Sequence, residues 1–220
     1  MEIVMLRTIL VGAAMMAATI SSAAAEQGDW LVRGRVILVS PTEETSGVQP
    51  AFPNDEVSVD DAVVPELDFT YFVRDQWALE LILATSPHDI SGEDGLSALG
   101  EIAESMVLPP TLTLQYHFQP EASVRPYVGV GINYTLFYDE EASDSLNNAI
   151  GDTSIDIDDS FGIALQAGLD FDLNEKWFLN ADIKYIQIDT EATLNTGGAI
   201  NTVDVDLDPI VFGIGIGTRF

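Results

Sequence analysis

From Trp30 to the end of the chain, apolar and polar residues alternate with a period of two in eight separate segments. Trp30, Val32, Val36 and Leu38 alternate with Leu31, Arg33, Arg35 and Ile37, and Leu67, Phe69, Tyr71 and Val73 with Glu66, Asp68, Thr70 and Phe72. Further segments run through Trp77–Ala84, Thr111–Phe118, Tyr127–Leu136, Phe161–Phe171, Trp177–Tyr185 and Ile210–Phe220. Strict alternation predicts strands with one apolar face, because successive side chains point to opposite sides of a strand.

The two faces differ in kind. One is broad, aliphatic and edged by aromatics; the other mixes Gly, Thr, Asn and Gln with a few charges. In a soluble sandwich the apolar face would be the core and the other would be charged. Here the aliphatic face suits a lipid-facing wall and the mixed face a crowded lumen. Segments of about ten residues are long enough to cross a bilayer when tilted. Connections alternate between short (Arg74-Asp75-Gln76, Gln119–Val124, Asn174-Glu175-Lys176) and long (Pro41–Asp61, Pro87–Met106, Asp139–Asp159 and a last one around Leu194–Asn201). Short periplasmic turns and long outer loops mark outer-membrane barrels. Trp30, Trp77 and Trp177 each open an outward-running segment, which places them on one rim. The expected fold is all-β, an eight-stranded antiparallel transmembrane β-barrel of the outer membrane. A soluble eight-stranded barrel such as a lipocalin is the alternative architecture.

Ahead of the alternation, Arg7 precedes a short apolar run, Ile9–Ile20, and Ala-x-Ala stands before Glu26. This is the layout of a cleavable secretory leader over residues 1–25, with the barrel occupying 26–220. A retained anchor helix is the competing reading.

Composition sharpens this picture. The 220 residues hold 36 acidic and 8 basic side chains, a formal charge of −28, yet 47% are hydrophobic and mean hydropathy is +0.19. Charge and apolar surface must therefore occupy separate places. Nucleic acid is an unsuitable partner, since phosphate contacts need clustered Lys and Arg. The absence of cysteine excludes disulfides and thiolate metal sites. The long connections are acidic, through Glu43, Glu44, Asp55, Glu56, Asp60 and Asp61, then Glu93, Asp94, Glu101 and Glu104, then Asp139–Glu141, Asp144 and Asp152. A solvated, self-repelling surface accounts for them; divalent cations beside anionic lipopolysaccharide are the sharper reading. "DTSIDIDD", Asp152–Asp159, lacks the Gly and Glu of a calcium loop, and carboxylates alternating along a strand splay apart, so no metal site is expected. His88 stands beside Ser86 and Asp89, but catalytic triads draw their members from separate segments. Neither an enzyme nor a cofactor is expected.

Strand direction orders the lumen by height. The periplasmic half holds Arg33, Arg35, Asp68, Glu80, Gln115, His117, Arg125, Asp170, Asn180, Asp182, Lys184 and Arg219. Signs are near balance there, so the expectation is a salt-bridged plug built on Arg33, Arg35, Asp68, Glu80, Arg125, Asp182, Lys184 and Arg219. The outer half holds Ile37, Val39, Val64, Ile82, Phe137, Ile186, Ile188 and Val211, inward by parity yet apolar. They predict a hydrophobic tunnel that accepts small apolar molecules, with plain hydrophobic filling as the other reading. A tunnel sealed below needs another exit. Pro87 and Pro109-Pro110 fall where two neighbouring strands end and begin, and proline weakens a ladder. A lateral seam into the membrane is therefore expected at Pro87, Pro109 and Pro110. In the closing "VFGIGIGTRF", Gly213, Gly215 and Gly217 would leave room for Arg33 and Arg35.

"GDWLVRGR", "LPPTLTLQYHF", "RPYVGVGINYT", "FGIALQAGLDFDL", "WFLNADIKYI" and "DPIVFGIGIGTRF" together resemble the outer-membrane protein W (OmpW) family across the whole chain after residue 25. The resemblance implies an eight-stranded outer-membrane barrel with a hydrophobic lumen, implicated in uptake of small hydrophobic compounds, alkane importers being similar. The terminal Phe220 resembles the signal read by the outer-membrane assembly machinery. Expected partners are outer-membrane lipid and lipopolysaccharide, small hydrophobic ligands and that machinery. The alternative function is a structural or receptor-type barrel with a packed, non-conducting lumen.

Overall fold

Each alternating segment is a strand in the computed structural model, which describes residues 26–220. The predicted leader, 1–25, lies outside the described residues. In chain order the strands are β1 (Trp30–Ser40), β2 (Glu44–Thr45), β3 (Val57–Val59), β4 (Ala62–Arg74), β5 (Trp77–Ala84), β6 (Ser86–Gly92), β7 (Glu101–Leu108) and β8 (Thr111–His117). They continue as β9 (Val124–Ala142), β10 (Thr153–Ile157), β11 (Ser160–Asp172), β12 (Trp177–Ile186), β13 (Asp189–Thr196), β14 (Ala199–Asp206) and β15 (Ile210–Arg219). A 3-10 turn at Asp94–Leu99 and the short helix α1 (Asp144–Ile150) interrupt them.

Eight of these strands form a closed antiparallel barrel, β1–β4–β5–β8–β9–β11–β12–β15 and back to β1. Closure runs from Leu31↔Arg219 to Ser40↔Ile210. It is extended by paired bonds between Trp30 and Phe220, at 3.1 and 2.9 Å. No strand edge is left along the ring, as lipid requires. Outside it, Leu79, Leu81, Leu112, Leu114, Val130, Ile132, Ile163, Leu165, Ile214 and Ile216 are exposed. Soluble monomers rarely present so large a contiguous apolar surface; hydrocarbon is its natural solvent. Trp30, Trp77 and Trp177 begin β1, β5 and β12, so all three ring one rim beside the short turns. Tyr71 and Tyr116 pack against Trp30 and Trp77, each with centroids 5.0 Å apart.

The opposite rim differs from the loops expected there. β6 and β7 form a hairpin that carries β5 and β8 upward, flanked by β3 and by the upper part of β9. β10, β13, β14 and β2 form a second sheet. The physical reason is burial. Ile90 and Ile102 on one side and Ala192, Leu194, Val203 and Val205 on the other pack into one apolar cluster above the barrel, while the acidic residues between them face out. The β13–β14 hairpin turns on Gly197 and Gly198, with φ of 58° and 96°, a two-residue loop that only glycine enters freely. "DTSIDIDD" falls largely in β10, where Thr153–Ile157 pair with Ala192–Thr196.

Two glycines on the β1–β15 seam test which face is crowded. Gly34 points outward, with nothing within 4 Å of an added Cβ, whereas a Cβ on Gly215 would meet the Gly34 carbonyl and sit 2.7 Å from Arg35 Cα. Gly34→Ala is expected to be neutral or mildly stabilising, and Gly215→Ala to cost about 1–3 kcal/mol by overpacking. Urea unfolding of the chain folded into lipid vesicles checks both.

Candidate functional site

The lumen divides into a charged floor and an apolar chamber. The floor is built where consecutive inward positions of β1, β4, β11 and β12 carry charge, joined by Glu80 of β5, Arg125 of β9 and Arg219 of β15. Arg33 contacts Asp68 at 2.9 Å, Glu80 at 3.2 Å and Asp170 at 3.2 Å. Arg35, next inward on β1, reaches Glu66 at 3.1 Å and Glu80 at 2.9 Å, and pairs with Asp68 and Asp182. Lys184 bridges Glu66 at 2.9 Å and Asp182 at 3.0 Å. Nearer the short turns, Arg125 meets Asp172 at 2.6 Å, and Arg219 lies 3.7 Å from the same carboxylate. Tyr127, Phe178 and His117 pack among these groups, with the Arg33 guanidinium 5.3 Å from the Tyr127 ring centre. Gln115 and Gln166 bridge across the lumen at 2.9 Å.

All eight residues expected in the plug belong to this network. Sequence reasoning left out Glu66 and Asp172, although each stands two residues from a recognised carboxylate on the same strand face, Asp68 and Asp170. A small barrel has interior space only for its side chains, and Gly213, Gly215 and Gly217 make that space. A Cβ at Gly213 would strike Asp182, and one at Gly217 would strike Phe178 and approach Arg33 Cγ to 3.0 Å.

Above the floor lies an apolar cavity of about 110 Å³. Ile37, Val39, Ile82, Phe137, Ile186, Ile188 and Val211 line it, with Lys184 and Glu66 at its base. Val64 is buried in the same cluster, behind that lining. Residues never assigned to the chamber from the sequence close its upper part: Ile102 and Val107 from β6–β7, Ala192, Leu194, Val203 and Val205 from β13–β14, and Leu146 from α1. The alternation in "VDVDLD" was the signal for the β14 contribution.

The chamber meets the wall at an interrupted ladder. β5 pairs with β8 as far as Ile82↔Thr111, and β6 pairs with β7 from Ser86↔Val107 in the same register. On the other side β8–β9 pairing stops at Thr111↔Asn133 and β7–β9 pairing resumes at Leu108↔Leu136. Between these points stand Pro109 and Pro110, which have no N–H to give. Pro109 and Ala84 line the cavity at that height. Pro87 is placed differently from expectation: it lies inside β6, exposed and paired with Met106. The strand break falls earlier, at Thr85, because the prolines of the partner strand, not Pro87, remove the donors. Outside the gap, the Thr85 and Tyr138 hydroxyls hydrogen-bond at 2.6 Å.

Besides Thr111 and Thr190, a cluster of polar side chains on β6 and β7 interrupts the chamber wall. Ser86 Oγ and His88 Nε2 are 2.9 Å apart, and His88 Nδ1 is 2.9 Å from the Asp60 carbonyl. Asp89 faces out, so the sequence-adjacent acid does not join them. Burial pushes the His88 imidazole below its ordinary value. On the outer surface, Asp89, Glu101 and Glu104 bring carboxylate oxygens within 4.8 Å of one another. All three are exposed, as solvated acidic groups commonly are.

A closed eight-stranded barrel with an aliphatic outer belt, a Trp rim and a charged interior is an integral outer-membrane protein. The OmpW family profile matches residues 26–220, and the chain belongs to that family. It is 37% identical over 214 residues to outer membrane protein W of Vibrio cholerae, covering 95% of this chain and 97% of the relative. It is 30% identical over 154 residues to the dibenzothiophene metabolism operon protein PahQ of Pseudomonas aeruginosa, covering 70% and 69%. The crystal structure of OprG from Pseudomonas aeruginosa superimposes with a TM-score of 0.84 at 33% identity, covering 90% of this chain and 98% of that one.

Removing one member of the floor strands its partners. Arg35→Met leaves Glu66, Asp68, Glu80 and Asp182 short of a cation they share. A loss of about 3–5 kcal/mol is expected, read as a lowered temperature of the folded-to-unfolded band shift on electrophoresis.

Proposed function

We propose that this protein passes small hydrophobic molecules from the cell exterior into the outer membrane, through the apolar chamber and out sideways between β5 and β8. The observation that carries this reading is the chamber itself: apolar on nearly every side, sealed beneath by ion pairs, and reaching the wall where Pro109 and Pro110 leave β5 without ladder pairing between Ile82 and Ser86, while on the β9 side a 3.2 Å bond from the Tyr134 N–H to the Pro110 carbonyl holds the wall. The floor argues against flow of water or ions through the barrel, since paired buried charges fill a lumen with no spare width. An apolar molecule has no reason to cross that floor, because the hydrocarbon beside the chamber solvates it better. The size supports small cargo: an engineered apolar cavity of roughly 150 Å³ stays dry and binds benzene, close to the 110 Å³ here. The name of the related PahQ refers to metabolism of an apolar sulfur heterocycle, which fits the same chemical class. The acidic outer surface suits cation-bridged contact with lipopolysaccharide, and the exposed terminal Phe220 suits recognition by the assembly machinery.

Ile186→Asp or Phe137→Asp puts a carboxylate into the chamber, whose desolvation opposes apolar cargo. Uptake of radiolabelled toluene by cells carrying either variant is expected to fall about tenfold or more; unchanged uptake sinks the tunnel. Replacing Pro109 and Pro110 together with Thr restores two ladder donors. Transfer is then expected to slow while toluene still binds, and unaltered transfer removes the lateral route.

A further inference from the structure

The wall of a mostly apolar chamber carries three polar side chains together on one face of one hairpin. Ser86 and His88 are alternate residues of β6, and Ser105 stands directly across from His88 on β7. All three are buried and line the cavity. Apolar filling alone does not call for them, since each buried polar group not satisfied within the protein costs free energy.

Hydrogen-bond roles follow from the acceptors. The Asp60 carbonyl can only accept, so His88 Nδ1 carries the proton and donates to it over 2.9 Å. Nε2 is then the acceptor, and the Ser86 hydroxyl donates its only proton to it over 2.9 Å. That leaves Ser86 Oγ as an acceptor whose lone pairs remain available. Ser105 Oγ has only a long contact, 3.5 Å, to the Met106 carbonyl, at the limit of hydrogen bonding, so its proton is free to be redirected. Ser86 and Ser105 are diagonal neighbours across an antiparallel pair, a spacing of about 7–8 Å, which accommodates one hydroxyl oxygen between them.

We propose that Ser86 and Ser105 form a binding station for a single neutral hydroxyl group on an apolar body, the chemistry of phenols and small alcohols. Ser86 accepts from the ligand hydroxyl and Ser105 donates to it. His88 is a positioning residue: held by Asp60, it keeps the Ser86 proton turned away so that an acceptor faces the chamber. The station rests on the reading of the chamber as a ligand site and narrows its ligand class from hydrocarbons to monohydroxylated compounds.

Phenol and toluene have nearly the same shape and differ by hydroxyl against methyl. Their equilibrium binding is measured to the full chain in lipid nanodiscs, with empty nanodiscs subtracted, for the wild type and for Ser86→Ala and Ser105→Ala. Each variant is expected to bind phenol about fivefold to tenfold more weakly, the equivalent of one hydrogen bond, and toluene within about twofold of the wild type. Heat-modifiable migration reports that each variant is folded, and either variant alone suffices if the other fails to fold. Phenol binding that is unchanged, or phenol and toluene weakening together, overturns the station. Because this is a binding measurement, it separates the two readings. Phenol selectivity in a protein that transfers no toluene into cells supports the station and removes transfer. Toluene transfer without phenol selectivity does the reverse.

Discussion

Hydrocarbon offers no hydrogen-bond partner, so a backbone crossing it must satisfy every N–H and C=O from within. That constraint organises the whole chain. It makes β15 return to β1 over ten residue pairs. It also gives a gap in the ladder unusual weight. Pro109 and Pro110 withhold ladder donors at the height of the apolar chamber, so a weakened stretch of wall adjoins a volume suited to apolar cargo.

Closing a ring of only eight strands creates a second constraint, a lumen about as wide as its own side chains. The chain fills the lower half with five basic and six acidic groups that neutralise one another across seven strands. Such a network is a poor source of net stability compared with apolar packing, because desolvation offsets much of the attraction. Its value here is geometric. Long guanidinium arms reach across the barrel, and the glycine row of β15 gives them a wall to lie against. A lumen filled with polar pairs repels apolar cargo from below, while the filling of the upper half attracts it from above. The division of the interior into two solvents gives the chamber a direction.

The outer extensions turn an open barrel mouth into a partly enclosed site. β6–β7 and β13–β14 rise on different sides and turn their small aliphatic residues inward over the chamber. Their outward faces carry acidic residues such as Asp89, Glu101, Glu104, Glu191, Asp204 and Asp206, which helps a charge of −28 coexist with 47% hydrophobic residues. Charge faces water, one set of apolar side chains faces lipid, and a second set faces the cavity.

Much of this was legible without coordinates because a strand makes side-chain direction a matter of parity. Counting along β1 places Arg33, Arg35, Ile37 and Val39 on one side, and the structure has them facing one lumen. Strand direction, added to parity, separated the charged floor from the apolar chamber and put the three Trp on one rim. Parity does not say how far a strand continues once it leaves the membrane. The outer segments, read as the long loops between alternating segments, are strands because distant hairpins bury their apolar faces against each other. Nor does parity set register. Ser86, His88 and Ser105 converge only because β6 and β7 pair with Ser86 opposite Val107, and the imidazole is oriented by a carbonyl 28 residues away, at Asp60. The sequence by itself determined which side of the wall each residue faces, since that depends on backbone geometry alone. Which residues meet across the lumen, where the ladder lapses and what roofs the chamber were decided by tertiary structure, since those depend on how separate strands slide to satisfy one another's hydrogen bonds.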